Sequence, residues 1–279
     1  MSPRPQTATM DPQRQAREIV FTLASYDFPW DVEKALEFAL FRTYAVPGIS
    51  SLLARTGEFE TRTRKRYDDT ELILSEIVEN GPDHPRGAEA LARMNEMHGR
   101  YRIPNDQYLY VLSTFVFEPI RWIARFGWRD LSEGEKAAIF AYYRDLGQRM
   151  GITDIPEDMA SFEAFNRDYE ARHFAPAESN RRIGDVTLDL MLGFYLPRGL
   201  FRLGRPAALA LMDAPLRAAM GYEAPPRWLE RAVPAGLRLR AALLRVLPKR
   251  RRAKLITARK RPTYPGGYAI RDLGTFRDR

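Results

Sequence analysis

Apolar residues recur at helical spacing from residue 15 to about residue 247, in segments that Pro or Gly separates. No part of this stretch has the alternating, β-branched pattern of a strand, and no repeat or Ser/Gly-rich linker divides it. These features predict an all-α chain. We expect one multi-helix domain over residues 15–247, a flexible polar lead at 1–14 and a basic tail at 248–279.

Several helix boundaries follow from local signals. Asp31 is a candidate N-cap, and Ser132 with Glu135 has the spacing of a capping box. Further helices are expected at about residues 60–80, 85–100, 105–117, 157–173, 180–196, 206–220 and 226–247. The last is amphipathic, because Arg238 and Arg245 share one face and several leucines lie on another, so we expect its leucines to dock on the protein's own core.

Composition excludes several classes of chemistry. The 279 residues are 45% hydrophobic, which allows a substantial core, and they include no cysteine. Disulfides, thiolate zinc sites, iron–sulfur clusters and cysteine nucleophiles are therefore excluded, and a cytoplasmic location is expected. The N-terminus has no signal-peptide pattern, and no apolar stretch approaches the roughly 20 residues that span a bilayer.

The net charge of +8 is concentrated near the C-terminus. Residues 227–279 hold 16 Lys/Arg against 3 Asp/Glu, and the densest run is Lys249–Lys254. Such runs are usually solvated, and peripheral contact of this tail with an anionic membrane is the functional alternative. A nucleic-acid-binding protein that uses residues 249–261 is a third interpretation, but no helix-turn-helix pattern supports it, so no specific nucleic-acid partner is expected.

Only three histidines, His84, His98 and His173, could ligate a transition metal or haem in a chain without cysteine. A carboxylate-bridged di-iron bundle needs two Glu-x-x-His elements, and only Glu170–His173 is present. The His-Glu-x-x-His element of zinc hydrolases, the phosphate-binding loop of nucleotide hydrolases and the Gly-x-Ser-x-Gly elbow are absent. His98 is the best candidate, since His84 lies in a turn-like Pro-Asp-His-Pro segment.

Two groups of residues near His98 complete the candidate site. Arg66 and Thr70 are four residues apart, so they share a helical face where a cation and a hydroxyl address one spot. Met94 lies one turn before His98 and would pack on a porphyrin or fill the core. The structural alternatives are an ordinary surface pair for Arg66 and Thr70, and a partly buried histidine satisfied by a backbone carbonyl for His98.

Seven sequence blocks resemble one known family in the same order and with compatible gaps. They are FRTYAVPGIS at 41–50, RYDDT at 66–70, MNEMH at 94–98, NDQYLYVL at 105–112, EPIRW at 118–122, GWR at 127–129 and YPGGY at 264–268. This succession resembles the MpaB-type oxygenases, which are related to the latex-clearing rubber oxygenases, and the resemblance covers about residues 30–275.

That resemblance implies an all-α, globin-like domain that holds one haem b and cleaves carbon–carbon double bonds of isoprenoid chains with dioxygen. By resemblance, His98 is the proximal haem ligand, and Arg66 and Thr70 belong to the haem pocket. Two departures bear on mechanism. The latex-clearing branch has a lysine where this chain has Asp69, and its proposed glutamate base has no clear match near Ser50–Leu53, so the base is unassigned. The membrane anchor of fungal MpaB-type proteins is not expected here.

The sequence therefore predicts a haem b-dependent oxygenase that uses O2 to cleave an apolar, isoprenoid or alkenyl small molecule. His98 would bind the iron through Nε2 while an acceptor orients its Nδ1–H. Arg66 and Thr70 would stabilise a polar oxygen species or fix the haem. A helical protein that binds haem or an apolar ligand without turnover is the alternative.

Overall fold

A computed structural model describes residues 5–274. Within this range the chain forms 13 α-helices and no β-strand, which confirms the all-α prediction. The helices are α1 (Ala16–Thr22), α2 (Pro29–Tyr44), α3 (Pro47–Thr56), α4 (Glu58–Thr61), α5 (Thr63–Asn80), α6 (Pro85–Gly99), α7 (Asn105–Phe126), α8 (Glu133–Arg149), α9 (Met159–His173), α10 (Glu178–Leu192), α11 (Phe201–Leu209), α12 (Ala214–Met220) and α13 (Arg227–Val246). A π-helical turn, Leu23–Asp27, extends α1.

Local signals place some helix ends correctly and others not. The capping box is confirmed, because Ser132 Oγ accepts a hydrogen bond from the Glu135 N–H and the Glu135 carboxylate accepts one from the Ser132 N–H. The single helix expected at 206–220 is wrong, since Asp213 caps a separate helix, α12. The Asp31 cap is also wrong: α2 begins at Pro29, and Asp31 is a buried residue whose carboxylate accepts from Trp122 Nε1 and pairs with Arg240.

Helices α2 and α7 pack against each other at the centre of the molecule. The apolar character of α7 predicts an interior helix, and its residues Tyr110, Val116 and Phe117 are indeed buried. Arg42 of α2 ties this pair to its surroundings through Glu118 of α7, Glu170 of α9 and Asp213. Although burial opposes the charged form, these three carboxylates raise the pKa of Arg42, so the network stays ionised.

Helix α13 lies on the outside, and only part of its apolar surface meets the core. Pro234 and Ala241 are buried, whereas Leu239, Leu243 and Val246 are exposed. The expectation that the leucines of this helix dock on the protein's own core is therefore wrong for the exposed positions. The hydrophobic pattern identifies an amphipathic helix but does not say which apolar side chains find a partner.

Candidate active site

The candidate site is built on the antiparallel pair α5 and α6, which a short turn connects. Gly81 ends α5 with a φ of +97°, a conformation that favours glycine. Gly87 sits in the first turn of α6, where an added Cβ would lie 1.8 Å from the Gly81 carbonyl oxygen. This close approach lets α5 and α6 pack tightly, and it brings Arg66 and Thr70 on one helix toward His98 on the other.

His98 lies at the end of α6 beside Tyr108 of α7, with ring centroids 5.6 Å apart and planes at 81°. Burial, and then the charge of Arg66, lowers the pKa of His98 to about 4. The imidazole is thus neutral at physiological pH, which is the form that binds a metal. Within residues 5–274 its buried Nδ1 has no hydrogen-bond partner, so the acceptor expected to orient it is not found there.

Arg66 and Thr70 lie one turn apart on α5, as their spacing predicts. The Arg66 guanidinium donates to Thr70 Oγ1, which in turn donates to the Arg66 carbonyl oxygen at 2.9 Å. The guanidinium also stacks over Phe59, 5.4 Å from the ring centroid. No carboxylate of residues 5–274 forms a salt bridge with Arg66. A cation in this position is available to an anionic group that the chain itself does not supply.

An elongated cavity runs along α5 between α2, α8 and α10. It has a volume of about 160 Å³ and is partly open to solvent. Arg66 and Thr70 belong to its wall, which is mostly aliphatic and aromatic but also includes the glutamates Glu33, Glu37, Glu71 and Glu79. The apolar members that matter for a greasy ligand are Leu36, Leu40, Leu74, Phe115, Tyr143 and Leu146.

The remaining candidates stand outside this wall. His98 does not line the cavity, although the field of Arg66 reaches it. Met94 is buried in the hydrophobic core and does not line the cavity either. Asp69, at the position of the lysine in the latex-clearing branch, accepts hydrogen bonds from Lys65 at 2.6 Å, from Tyr264 and from the Gly274 N–H. These bonds hold Asp69 against the C-terminal segment, so it does not reach the cavity.

Sequence reasoning missed two hydroxyl groups in the cavity wall. Tyr44 Oη and Thr187 Oγ1 are buried close to each other, and within residues 5–274 neither forms a hydrogen bond of good geometry. Burial raises the pKa of Tyr44 to about 12, so its hydroxyl keeps its proton and can donate. The positive charge of Arg66 is close enough to Tyr44 to lower this pKa, against the larger effect of burial. Tyr44 falls in the FRTYAVPGIS block, but nothing in the sequence marks its hydroxyl as buried.

A second polar group in the wall centres on Glu37. Lys34 Nζ donates to both carboxylate oxygens at 2.6 Å, and the Tyr67 hydroxyl donates to Glu37 Oε1 at 2.9 Å. Burial raises the pKa of Glu37 to about 7, against the opposing effect of Lys34. Lys34 and Glu37 are three residues apart, a spacing typical of an exposed pair, so the sequence gives no sign of their burial.

Part of the basic C-terminal segment contributes to the cavity wall. Ile256 lines it, and the neighbouring Thr257 donates to Glu79, another residue of the wall. Arg259 pairs with Glu33 at 2.7 Å, and the buried Arg261 pairs with Asp68 at 2.6 Å. By contrast, residues 250–252 are exposed, as expected for a solvated run. The segment from 254 to 261 therefore neutralises acidic side chains of α2 and α5.

Comparison with known proteins identifies the family. Residues 36–246 match the catalytic domain described as ER-bound oxygenase mpaB/B'/Rubber oxygenase. The chain belongs to this oxygenase family. The predicted resemblance is thus confirmed, and the match contains α5, α6 and the candidate residues on them.

Three curated relatives are similar to the chain. ER-bound oxygenase mpaB' of Penicillium brevicompactum is 36% identical over 74% of the chain, and ER-bound oxygenase mpaB of the same organism is 32% identical over 74%. The chain spans about half the length of these two, 53% and 56%. ER-bound oxygenase mpaB of Penicillium roqueforti (strain FM164) is 34% identical over 75% of the chain and 76% of that relative.

These relatives are named as ER-bound proteins, which is compatible with the predicted peripheral membrane association. In residues 5–274 no helix has both the length and the apolar character needed to cross a bilayer. A cytoplasmic location stays a prediction.

Proposed function

We propose that this member of the MpaB/rubber oxygenase family is a haem b-dependent oxygenase that cleaves a carbon–carbon double bond of an apolar, isoprenoid or alkenyl substrate with O2. The proposal rests mainly on the surroundings of Arg66. This cation lies in the wall of an apolar cavity, next to a neutral histidine, and it has no carboxylate partner within residues 5–274. An apolar wall suits an alkenyl chain, and a partly buried guanidinium without a carboxylate partner is able to bind an anionic group.

Side chains in the cavity wall, together with His98 and Met94 outside it, support a haem in this proposal. His98 is neutral, which is the protonation state that would ligate iron through Nε2, while its buried Nδ1 has no acceptor within residues 5–274. Arg66 would pair with a haem propionate, and the hydroxyls of Tyr44 and Thr187 would donate to the same group. Met94 would support the haem from the core side. When bound, the haem supplies the iron chemistry that activates dioxygen.

The protein's own part is to position the substrate and exclude water. Leucine and aromatic side chains hold the alkenyl chain extended along α5, and the packed residues Ile256 and Thr257 keep solvent from the open side. Thr70 stays oriented by its hydrogen bond to the Arg66 carbonyl, so its hydroxyl keeps one position in the wall. Both atoms of dioxygen end in the products, because cleavage of one double bond leaves two carbonyl groups.

Absorption spectra of protein expressed with ample haem test the proposal. We expect the wild type and His84→Ala, which alters an exposed histidine, to show the same Soret band, and His98→Ala to lose haem or change its ferric spectrum. Arg66→Met should weaken haem binding about tenfold or more through loss of a charge-assisted hydrogen bond, while the surface variant Arg62→Met should not. If His98→Ala keeps the wild-type haem content and spectrum, the assignment of the ligand is wrong.

A binding protein without turnover is the alternative function, favoured by the apolar wall of the cavity alone. Oxygen uptake by haem-loaded protein with alkenyl and polyprenyl substrates separates the two. Uptake with formation of carbonyl products supports the oxygenase, and a stable Soret band with no uptake for any such substrate supports the binding protein.

A further inference from the structure

Helix α13 presents an apolar stripe to solvent along its length. At about 100° per residue, Trp228, Leu239 and Val246 fall within roughly 20° of one another around the helix axis. These side chains are 66%, 64% and 81% exposed. Leu243 lies beside them and is also exposed. Large apolar side chains that are aligned in this way mark a surface that meets another apolar phase.

A row of arginines borders this stripe on one side. Arg227, Arg231, Arg238 and Arg245 follow one another at spacings that keep them on one flank of α13. All four are exposed, and no carboxylate of residues 5–274 forms a salt bridge with them, although Arg245 Nε donates to the Trp128 carbonyl oxygen at 2.7 Å. The helix therefore combines an apolar strip with an uncompensated line of positive charge.

The neighbouring helix enlarges the exposed apolar surface. Helix α11 packs against α13, and its Leu203 is 75% exposed. Leu200, which immediately precedes α11, is exposed as well. Arg198 and Arg202 add two further exposed cations on this part of the surface.

We propose that α13 docks the protein on the surface of an anionic phospholipid bilayer, with the stripe at the boundary between headgroups and acyl chains and the arginine row on lipid phosphates. The charges argue against a second copy of the chain as the occupant. In an antiparallel two-fold pair of α13 helices the arginine rows would lie on the same side and repel each other, and in either orientation the acidic residue of this helix, Glu230, is already paired with Arg217.

The opposite side of α13 connects the docking surface to the cavity. Arg240 pairs with Asp31 at 2.9 Å and stacks on Trp30, 4.1 Å from the ring centroid. The same turn of α2 supplies Pro29 and Val32 to the cavity wall. If the proposed function holds, docking through α13 would place the helix that borders the cavity, α2, directly behind the membrane-facing helix. The docking itself does not depend on haem or on turnover.

Flotation of the full chain with vesicles tests the proposal. We expect the wild type to bind vesicles with about one phosphatidylserine in three lipids, to bind phosphatidylcholine vesicles at least about tenfold more weakly, and to lose binding as salt rises. Leu239→Ser with Val246→Ser should reduce binding at least about tenfold, since each change removes apolar surface from the bilayer. Circular dichroism should be unchanged, because both side chains are exposed.

A charge-matched comparison separates α13 from the basic tail. Arg231→Glu with Arg238→Glu should reduce binding more than about tenfold, whereas Arg250→Glu with Arg251→Glu should reduce it within about threefold. Equal losses in the two variants, or a stripe variant that binds like the wild type, would overturn the proposal. So would a wild-type dimer in sedimentation that the stripe variant converts to a monomer while neither binds vesicles.

Discussion

At the residue scale, two charged groups in the cavity wall differ in how they are satisfied. Arg66 has no carboxylate partner within residues 5–274, while Glu37 has Lys34 and Tyr67 within hydrogen-bond distance. Protonation of this carboxyl would turn one of its oxygens from an acceptor into a donor, and because an ammonium cannot accept, Lys34 would keep its bond to the other oxygen only. Glu37 is a titratable group within reach of a ligand in the cavity.

We expect Glu37 to titrate near pH 7, since burial raises its pKa to about that value. A protonated-carboxyl band in the wild-type minus Glu37→Gln infrared difference spectrum should fade with a midpoint near pH 7. The folded chain keeps a proton that the unfolded chain, with its ordinary carboxyl pKa of 4.5, releases. Stability should therefore fall as pH rises between about 4.5 and 7, by up to about 3 kcal/mol from this group.

Glu96→Gln is the matched control, because Glu96 is exposed and Arg93 and Arg100 lower its pKa. No protonated band should appear for Glu96 at pH 6. A Glu37 midpoint near the ordinary carboxyl value would show that Lys34 outweighs burial.

The placement of Arg66 and Thr70 could be predicted from sequence because a spacing of four residues fixes a shared helical face wherever the helix lies. The buried hydroxyls of Tyr44 and Thr187 in the cavity wall, by contrast, could not be predicted from the sequence. Their burial depends on how α2 and α10 pack, and those helices are far apart in the chain. Likewise, whether an acceptor lies beside His98 Nδ1 depends on tertiary packing, which helix spacing does not determine.

At the element scale, the pair α5 and α6 depends on one close backbone approach. A side chain at Gly87 has no room, because its Cβ would stand 1.8 Å from the Gly81 carbonyl oxygen. Since the obstacle is backbone, the two helices would have to separate at the turn. This separation would also change the distance between Arg66 on α5 and His98 on α6.

We expect Gly87→Ala to destabilise the protein by about 1–3 kcal/mol and to lower haem binding, because the α5–α6 turn must open. Gly236→Ala is the control: a Cβ there meets nothing within 4 Å, and alanine should stabilise the interior of α13 by about 0.5–1 kcal/mol. Urea denaturation measures both changes. A Gly87→Ala variant as stable as the wild type would show that the turn tolerates a wider approach.

Helix boundaries show the same division between local and tertiary causes. The capping box at Ser132 and Glu135 is readable because both partners lie within one turn. Asp31 looks like a cap by the same local rule, but Arg240, 209 residues later, binds its carboxylate in the interior. An apolar helix face has the same periodicity whether it is buried or exposed. The pattern alone therefore could not predict which leucines of α13 are exposed.

At the scale of the whole molecule, the segment 254–261 ties the C-terminal region to α2 and α5. Arg261 is buried against Asp68, whose other oxygen accepts from Arg64 at 2.9 Å and from Thr263 at 2.6 Å. Removal of Arg261 leaves a buried carboxylate with fewer donors, which is costly in a low-dielectric interior.

Arg261→Ala should therefore reduce stability by about 3 kcal/mol, the lower end for a broken buried pair because Arg64 and Thr263 remain. It should also make the chain after residue 250 sensitive to limited proteolysis. Arg251→Ala, a change at an exposed position, should alter stability by less than about 0.5 kcal/mol. Wild-type resistance to protease in the Arg261→Ala protein would show that the remaining contacts hold the segment.

The wall that Ile256 and its neighbours contribute has a consequence for biosynthesis. The rest of the lining comes from residues 20–190, so a ribosome completes it well before residue 256 emerges. During that interval the nascent helices present a cavity with one open side. Under the proposed function, a large planar cofactor would enter through this side before the later segment folds over it.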